Sequence, residues 1–523
     1  MKTRTSHPSS RLFLLSVIFL TTIFCAAEAH CQKLRFAEAK LPRSYIPMYM
    51  EGDVQGTEVA SLIFSGLIYI NKEGRPDNDL ASKIDRQSLP GGREKYIVVL
   101  EPDARFHGKL GPVTADDIVF TYNALLDPAN PNSVRTYLSN LDEVRKIDDS
   151  RAEFYFNREL PRNIFLLRYP IIPAKAFEGD TQVPIQPLEK TLPFKFLEKP
   201  LGTGPFKVII INSTDGISFQ SNESYYAGKP KLQFIQMMLR ENVVSIVDEL
   251  VMKELDFMRE VPFDEFGRVR TSLEFTLYPY ESLNYTCVVL NCKNPVLSKL
   301  EVRQALDYAI DKTAINDNIF NGNVTPISGP YPVNSWGYNS TVLVREPDLE
   351  KAKELLKQAG VTNKNFRLSY SKSKKFNDNI ALTIKSNLEA IGITLSLEPL
   401  DPAQLTEKCR FNHDFDMALQ TFIFEMDPDR YEMFHSSQNE PGQWNFAGFS
   451  DPEVDRILEE GRMINEYETR RQLYNKFHRL VHDETPFIFL FSETYTAAVS
   501  NSIKDWEVTS SNPFYKIARW NNE

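Results

Sequence analysis

The run FRLSYS at Phe366 to Ser371, a helical segment reaching from there through Asn387 to Ile391, and the run ITLSLEPL at Ile393 to Leu400 read as strand, helix and strand. Strands linked in this way lie side by side in the same direction, because a parallel pair needs a crossover of a dozen or more residues. The chain must therefore build an α/β layer in which helices cover a sheet. A second run, YTCVVLN at Tyr285 to Asn291, is apolar and rich in β-branched residues, as suits a strand buried in the centre of such a sheet.

Other segments fit the same class. KLRFAEA opens as a strand, helical spacing covers Thr57 to Leu67, and LIYI is a short strand. KYIVVLEP reads as a strand after a turn at Pro90 to Gly92, and RAEFYF as an alternating one. In TADDIVFTYNALLDP, Thr114 is placed to cap a helix with acidic residues in its first turn and a stop at Pro128. GPFKVIII and Gly216 to Gln220 predict a hairpin around Ser213 to Asp215. KLQFIQMML follows as a strand, and VVSIVDELVMKELDFM as an amphipathic helix leading into a buried strand. Ser298 is expected to cap the helix of SKLEVRQALDYAIDK, and PDLEKAKELLKQAG is acidic at its start, basic at its end and stopped by Gly360. The tail returns to three strands, PFIFLFSE, TYTAAVS and WEVTSS. A Pro-rich stretch from Pro170 to Pro205 without sustained period marks a boundary between structural units.

At 523 residues the chain exceeds what one hydrophobic core accommodates, so two or three domains are expected. Its net charge of -10 speaks against a nucleic-acid partner, which needs a basic face. Lys2, Arg4 and Arg11 precede a charge-free apolar run from Leu12 to Cys25, and Ala27-Glu28-Ala29 supplies small residues for cleavage after Ala29. That pattern is an export signal, and no other stretch approaches about twenty apolar residues. The alternative is a lipid anchor, but Phe24 precedes Cys25 and His30 precedes Cys31, where a small residue is needed. Cys287 and Cys292 sit too far apart on one strand to bridge each other. A bridge to Cys409 or Cys31 and free buried thiols both stay open.

Signatures of chemistry are missing: there is no G-x-x-x-x-G-K-[ST], no H-E-x-x-H and no G-x-S-x-G. GTGPF at Gly202 to Phe206 leads into a strand, so its glycines are read as turn geometry and not as a phosphate cradle. His478 and His482 lie four apart on a helix, but no third ligand has diagnostic spacing, and two surface histidines are the better reading. Asp427 and Asp429 flank Pro428 and read as turn chemistry before acid–base chemistry. No catalytic, cofactor or metal site is expected, and the chain is not read as an enzyme.

Several longer strings together resemble the extracellular solute-binding proteins of family 5, the periplasmic dipeptide-, oligopeptide- and nickel-binding proteins of ABC importers. They are SGLIYINKEGRPDNDLASKI, VLEPDARFHGKLGPVTADDIVFTYNALLDP, PLGTGPFKV, VLNCKNPVLSKLEVRQALDYAIDK, EPDLEKAKELLKQAG and FAGFSDPEVDRILEEGR, followed by R-x-x-x-Y-x-x-F-x-x-L-V-x-x-x-x-P-F-I. They occur in the family's order across nearly the whole chain after the leader. The resemblance implies an α/β, two-lobed periplasmic binding protein fold (type II, cluster C) with an extra domain inserted in lobe one. Lobe one would comprise residues 30–74, 200–293 and 490–523, the extra domain 75–199, and lobe two 294–489. YTCVVLN and PFIFLFSE would carry the chain across the hinge. The implied role is a receptor that closes on a peptide or peptide-like ligand and hands it to a membrane permease, acting as a periplasmic monomer. A nickel or metal-chelate receptor is the alternative on this fold, and an extracellular hydrolase a more distant one.

In one place the sequence departs from the pattern. Many peptide-binding relatives carry an aspartate three residues before the Asp-Pro of this region, where it pairs with the peptide's amino terminus. The corresponding residue is Phe424, and Thr421 replaces the aromatic usually found three residues earlier. Glu425 is the nearest carboxylate, though its neighbouring position would face the other way on an extended segment. A modified peptide, a cell-wall peptide or a non-peptide ligand gains ground accordingly. The candidate cleft residues are Tyr45, Met48, Tyr285, Asn291, Phe424, Glu425, Met426, Trp444 and Asn445.

Overall fold

A computed structural model describes residues 32–45, 47, 53–128, 138–177, 199–424, 427–510 and 512–522. The expected leader (1–29) and the core of the Pro-rich stretch (178–198) lie outside the described residues. Strand β1 (Lys33–Glu38) buries Leu34 and Phe36, and helix α1 (Val54–Ile63) follows it. A short hairpin, β2 (Ile68–Ile70) and β3 (Pro76–Asn78), leads into β4 (Ala81–Leu89), β5 (Arg93–Leu100), β6 (Leu141–Asp148) and β7 (Arg151–Phe156). The last four form an antiparallel sheet in the order β4–β5–β7–β6, and helix α2 (Ala115–Leu126) packs on β6 and β7. The cap of α2 is the expected one: the Thr114 amide donates to Asp117 Oδ2 at 2.8 Å.

The chain then forms the hairpin β8 (Phe206–Asn212) and β9 (Gly216–Ser221), β10 (Phe234–Leu239), α3 (Val243–Val251) and β11 (Phe257–Met258). Strand β12 (Phe275–Leu290) carries it into the second half. That half holds α4 (Leu300–Ala309), α5 (Lys312–Phe320), β13 (Val324–Pro326), α6 (Leu349–Gln358), β14 (Asn365–Ser371), α7 (Asn377–Glu389), β15 (Thr394–Leu400) and β16 (Met417–Ile423). After α8 (Pro452–Met463) and α9 (Tyr467–Glu484), strand β17 (Phe487–Ser500) brings the chain back. One sheet runs β15–β14–β16–β12–β17–β11–β1–β10–β9–β8, with β13 on β17. The strand–helix–strand unit forms as expected: β14 and β15 are parallel, with Phe366 opposite Leu395, and α7 buries Ile380, Ile384 and Leu388.

Strands β12 and β17 run antiparallel through both halves, and their character changes midway. Near one end, Ala497 to Val499 belong to the apolar clusters of the first half. Near the other, Tyr285, Cys287 to Leu290 and Phe487 to Phe491 belong to those of the second. Between these ends, Glu281 to Asn284 and Ser492 to Thr496 belong to no apolar cluster, and the pairing shifts register between Glu281 and Tyr285. Two cores joined by a polar, irregular ribbon make a two-lobed α/β molecule able to bend at the ribbon.

Several expectations are corrected. PFIFLFSE and TYTAAVS form one strand, because β12 offers an unbroken partner along their length. The described part of WEVTSS, residues 506–510, forms none: Asp505 turns the chain at φ 55°, and Trp506 packs edge-on against Tyr278 at 5.2 Å. The residue that caps α4 is Lys299, while Ser298 Oγ donates to Pro295 O at 3.0 Å. The glycines of GTGPF serve close approach and not turn geometry. A Cβ on Gly202 would meet Ile63 O at 2.1 Å, and Gly204 N donates to that oxygen at 2.8 Å. His478 is not on the surface, and His482 is half-buried, its Nδ1 2.8 Å from Ser328 O. His478 is fully buried, accepting from Asn339 N at Nδ1 (2.9 Å), so Nε2 carries the proton toward Ser328 Oγ (3.1 Å). Cys287 and Cys409 are buried and Cys292 half-buried, all three as free thiols.

Candidate ligand-binding site

The polar ribbon is where side chains from both lobes come together. Asn284 spends both amide protons across it, donating to Glu493 Oε2 at 2.6 Å and to Tyr495 Oη at 2.9 Å. Glu281 accepts from Thr494 Oγ1 (3.4 Å), Thr325 Oγ1 (3.5 Å) and Ser492 Oγ (3.5 Å). Burial raises its carboxyl above the ordinary value, against those three donors.

Lobe one contributes a second set of carboxylates. Glu58, on α1, is buried with its Oε1 2.6 Å from Arg259 Nε, and Gln55 donates to Glu38 Oε2 at 3.0 Å. Burial pushes the Glu58 carboxyl up to about 8, Arg259 opposing and Glu38 and Glu260 reinforcing. Glu260 is raised by burial too, with Arg259 opposing and Glu493 of the ribbon adding to the rise. Glu38, Glu58 and Glu260 therefore share one electrostatic neighbourhood around Arg259, and Glu260 links it to Glu493 of the ribbon. The Arg43 amide donates to Asp53 Oδ2 at 2.6 Å, tying the backbone two residues before Tyr45 to the start of α1. Burial and then the Asp53 charge push the Tyr45 hydroxyl up to about 12.

Lobe two presents the end of β16. Phe424 donates its amide to Leu283 O at 3.1 Å, and its ring stacks on Tyr285 at 4.9 Å. The Arg430 guanidinium lies over the Phe424 ring at 3.9 Å. Its protons go to the carbonyls of Asp427 (2.9 Å), Asp429 (3.1 Å) and Pro330 (3.4 Å). Both carboxylates of the Asp427-Pro428-Asp429 turn are taken by arginines. Arg470 forks onto Asp427 at 3.0 and 3.1 Å, while Asp429 receives Arg462 Nε at 2.6 Å and lies 3.6 Å from Arg162 Nη1. Burial opposes the Asp429 charge, but Arg462 and Arg162 overcome it and hold the carboxyl below its ordinary value. This turn is an anchor for the loop, with no free base.

Of the residues singled out from sequence, Tyr285 and Phe424 meet at the end of the ribbon. Tyr45 sits half-buried against the lobe-one core. Asn291, Trp444 and Asn445 gather elsewhere, because six residues of strand put Asn291 about 20 Å from Tyr285. Asn291 donates to Phe415 O at 2.8 Å and accepts from Lys293 N at 3.0 Å. Asn445 donates to His435 O (3.0 Å) and Phe449 O (2.9 Å) and accepts from Phe449 N (3.2 Å). Both amides are buried and used at both ends. Trp444 is exposed beneath the Arg410 guanidinium at 3.8 Å. Met48, Glu425 and Met426 lie outside the described residues. Sequence reasoning missed Asn284, Glu493, Tyr495, Glu58 and Arg259. For the first three a signal existed: polar residues interrupt otherwise apolar strands at ESLN and SETYT.

Comparison with known proteins gives this geometry a context. Residues 79–443 match the family model of the bacterial extracellular solute-binding proteins, family 5 middle. The oligopeptide-binding protein AppA of Bacillus subtilis is 24% identical over 505 residues, covering 92% of this chain and 89% of that protein. Heme-binding protein A of Haemophilus influenzae is 24% identical over 498 residues, covering 90% and 89%. The structure of Bacillus subtilis AppA in complex with a nonapeptide superimposes with a TM-score of 0.74 at 23% identity, over 94% of this chain and 100% of that one.

Proposed function

Because the chain belongs to the family 5 bacterial extracellular solute-binding proteins, we propose that it captures a peptide or peptide-like ligand between its two lobes and delivers it to the permease of an ATP-driven importer. The observation that carries this reading is the polar ribbon of β12 and β17, which joins two separately cored lobes and gathers carboxylates, hydroxyls and aromatics from both. A ligand bound there in preference to the open state shifts the molecule toward closure by its differential affinity. A micromolar ligand supplies about 8 kcal/mol, ample for that shift. The oligopeptide-binding relative, met over nearly the whole chain, supports the ligand class.

The proposed ligand-facing set is Tyr45, Met48, Phe424, Glu425 and Met426, with Tyr285 backing Phe424. Phe424, with the buried Arg430 guanidinium over its ring, places an aromatic group and no carboxylate where the resemblance leads one to expect an aspartate. Such a surface favours a peptide whose amino end is modified or bound elsewhere. The division into lobe one (30–74, 200–293, 490–523), inserted unit (75–199) and lobe two (294–489) belongs to the same reading, as does export through the leader to the periplasm. Among the described residues no helix is long and apolar enough to cross a membrane.

Native mass spectrometry of protein purified from its own cells, paired with small-angle scattering, tests the reading. A co-purified peptide, and a smaller radius of gyration when that peptide is restored to stripped protein, are the expected results. A scattering curve unmoved by any peptide in a broad pool would refute it.

A further inference from the structure

A cavity of about 410 Å³ lies where the inserted unit and neighbouring lobe-one strands face lobe two. One wall comes from β2 to β5 and the 3-10 turns of Pro161–Arg168, the other from Trp336 and the start of α9. The volume falls in the range of small-molecule sites, about 300–1,000 Å³. Its lining is unbalanced in charge: it includes the guanidiniums of Arg75, Arg86 and Arg470 and not one carboxylate. Two of these cations are already neutralised from outside the lining, Arg86 by Glu94 and Glu159 and Arg470 by Asp427. Arg75 has no ion pair among the described residues, and its side chain is exposed. Beside these cations are apolar and aromatic surfaces, with Trp336 and Tyr467 packed at 5.0 Å and Ile164 on the facing wall.

We propose that this cavity is a second ligand site, taking a small organic anion whose carboxylate pairs with Arg75 and whose apolar or aromatic body rests against Trp336 and Tyr467. A carboxylate suits the planar fork of a guanidinium, and a partly enclosed site strengthens the pairing. The cavity lining shares no residue with the ribbon or with Tyr45, Tyr285 and Phe424, and Arg470 links it to Asp427. The site therefore stands whether or not the transported ligand is a peptide. Its walls come from both sides of the cleft, so occupancy favours the arrangement in which they meet.

Titration calorimetry of the full chain with hippurate and its neutral analogue hippuramide tests the proposal. Hippurate is expected to bind at least about tenfold more tightly than the amide. Arg75→Gln is expected to erase that preference and Arg75→Lys to keep most of it, while Tyr467→Ala weakens both compounds. Equal binding of acid and amide, no hippurate binding at millimolar concentration, or undiminished binding by Arg75→Gln would overturn the assignment.

Discussion

Phe424 is held between two partners of different kinds, the Tyr285 ring on one side and the Arg430 cation on the other. Its backbone position is fixed by Leu283 O, so truncating the side chain keeps that anchor and removes the ring from between its two partners. Phe424→Ala is expected to cost about 1–2 kcal/mol of stability, from partial burial and a lost stack, and to weaken ligand binding about tenfold. Unchanged affinity, measured on a ligand recovered with the wild type, would remove Phe424 from the site. His478 makes a prediction of another kind. Burial, reinforced by the neighbouring His482 charge, pushes its imidazole down to about 3, while in the unfolded chain it titrates near 6.5. The folded state therefore refuses a proton that the unfolded state accepts. The stability His478 contributes is complete above about pH 6.5 and drains away as pH falls toward 3. Relative to His478→Gln, the wild type should lose about 2–3 kcal/mol of its advantage between pH 7 and pH 4.5 in urea denaturation. A constant difference across that interval would mean the imidazole titrates normally in the fold.

At the scale of elements, the informative pair of glycines is one that turns and one that touches. Gly91 sits at φ 81° with nothing within 4 Å of an added Cβ, so alanine there incurs only left-handed backbone strain, about 1–2 kcal/mol. Gly202 has no such φ, but its Cβ would meet the last carbonyl of α1 at 2.1 Å. Gly202→Ala must push α1 off its seat and is expected to cost about 3 kcal/mol or more. Denaturation of the two variants in parallel checks the order, and equal costs would show that α1 yields freely. The two cases also show what a sequence makes legible. The Gly91 turn follows from PGG by local chemistry, and β14–α7–β15 from periodicity. Close approach depends on a partner over a hundred residues away, so locally GTGPF reads as one more turn. The same limit applies to the site. Tyr285 and Phe424 could be paired because each sits beside a recognisable string. The charge of Glu493 reaches Glu260 only because β17 returns beside β11 and β12, and no local pattern encodes that return.

For the whole molecule, the question is how much the arrangement of the lobes owes to contacts made without ligand. Arg162, in the 3-10 turns after β7, faces Asp429 of the lobe-two turn at 3.6 Å, with side chains 27% and 11% exposed. Asp429 keeps Arg462 whatever the lobes do, so removing Arg162 leaves no buried charge alone. What disappears is an attraction that exists only when the 3-10 turns of Pro161–Arg168 and the Asp429 turn are together. A partly exposed pair of this kind is worth about 0.5–1 kcal/mol, or two- to fivefold in the ratio of closed to open forms. If the ligand binds the closed form, the same factor must appear in its affinity, because the two equilibria are linked. Arg162→Ala should thus raise the radius of gyration of the ligand-free protein, weaken ligand binding two- to fivefold, and leave the urea midpoint almost unchanged. The affinity loss should also shrink in high salt, where wild type and variant converge. A variant that loses stability with its affinity intact would place Arg162 in the service of its own lobe, and closure would then have to draw on the ligand alone.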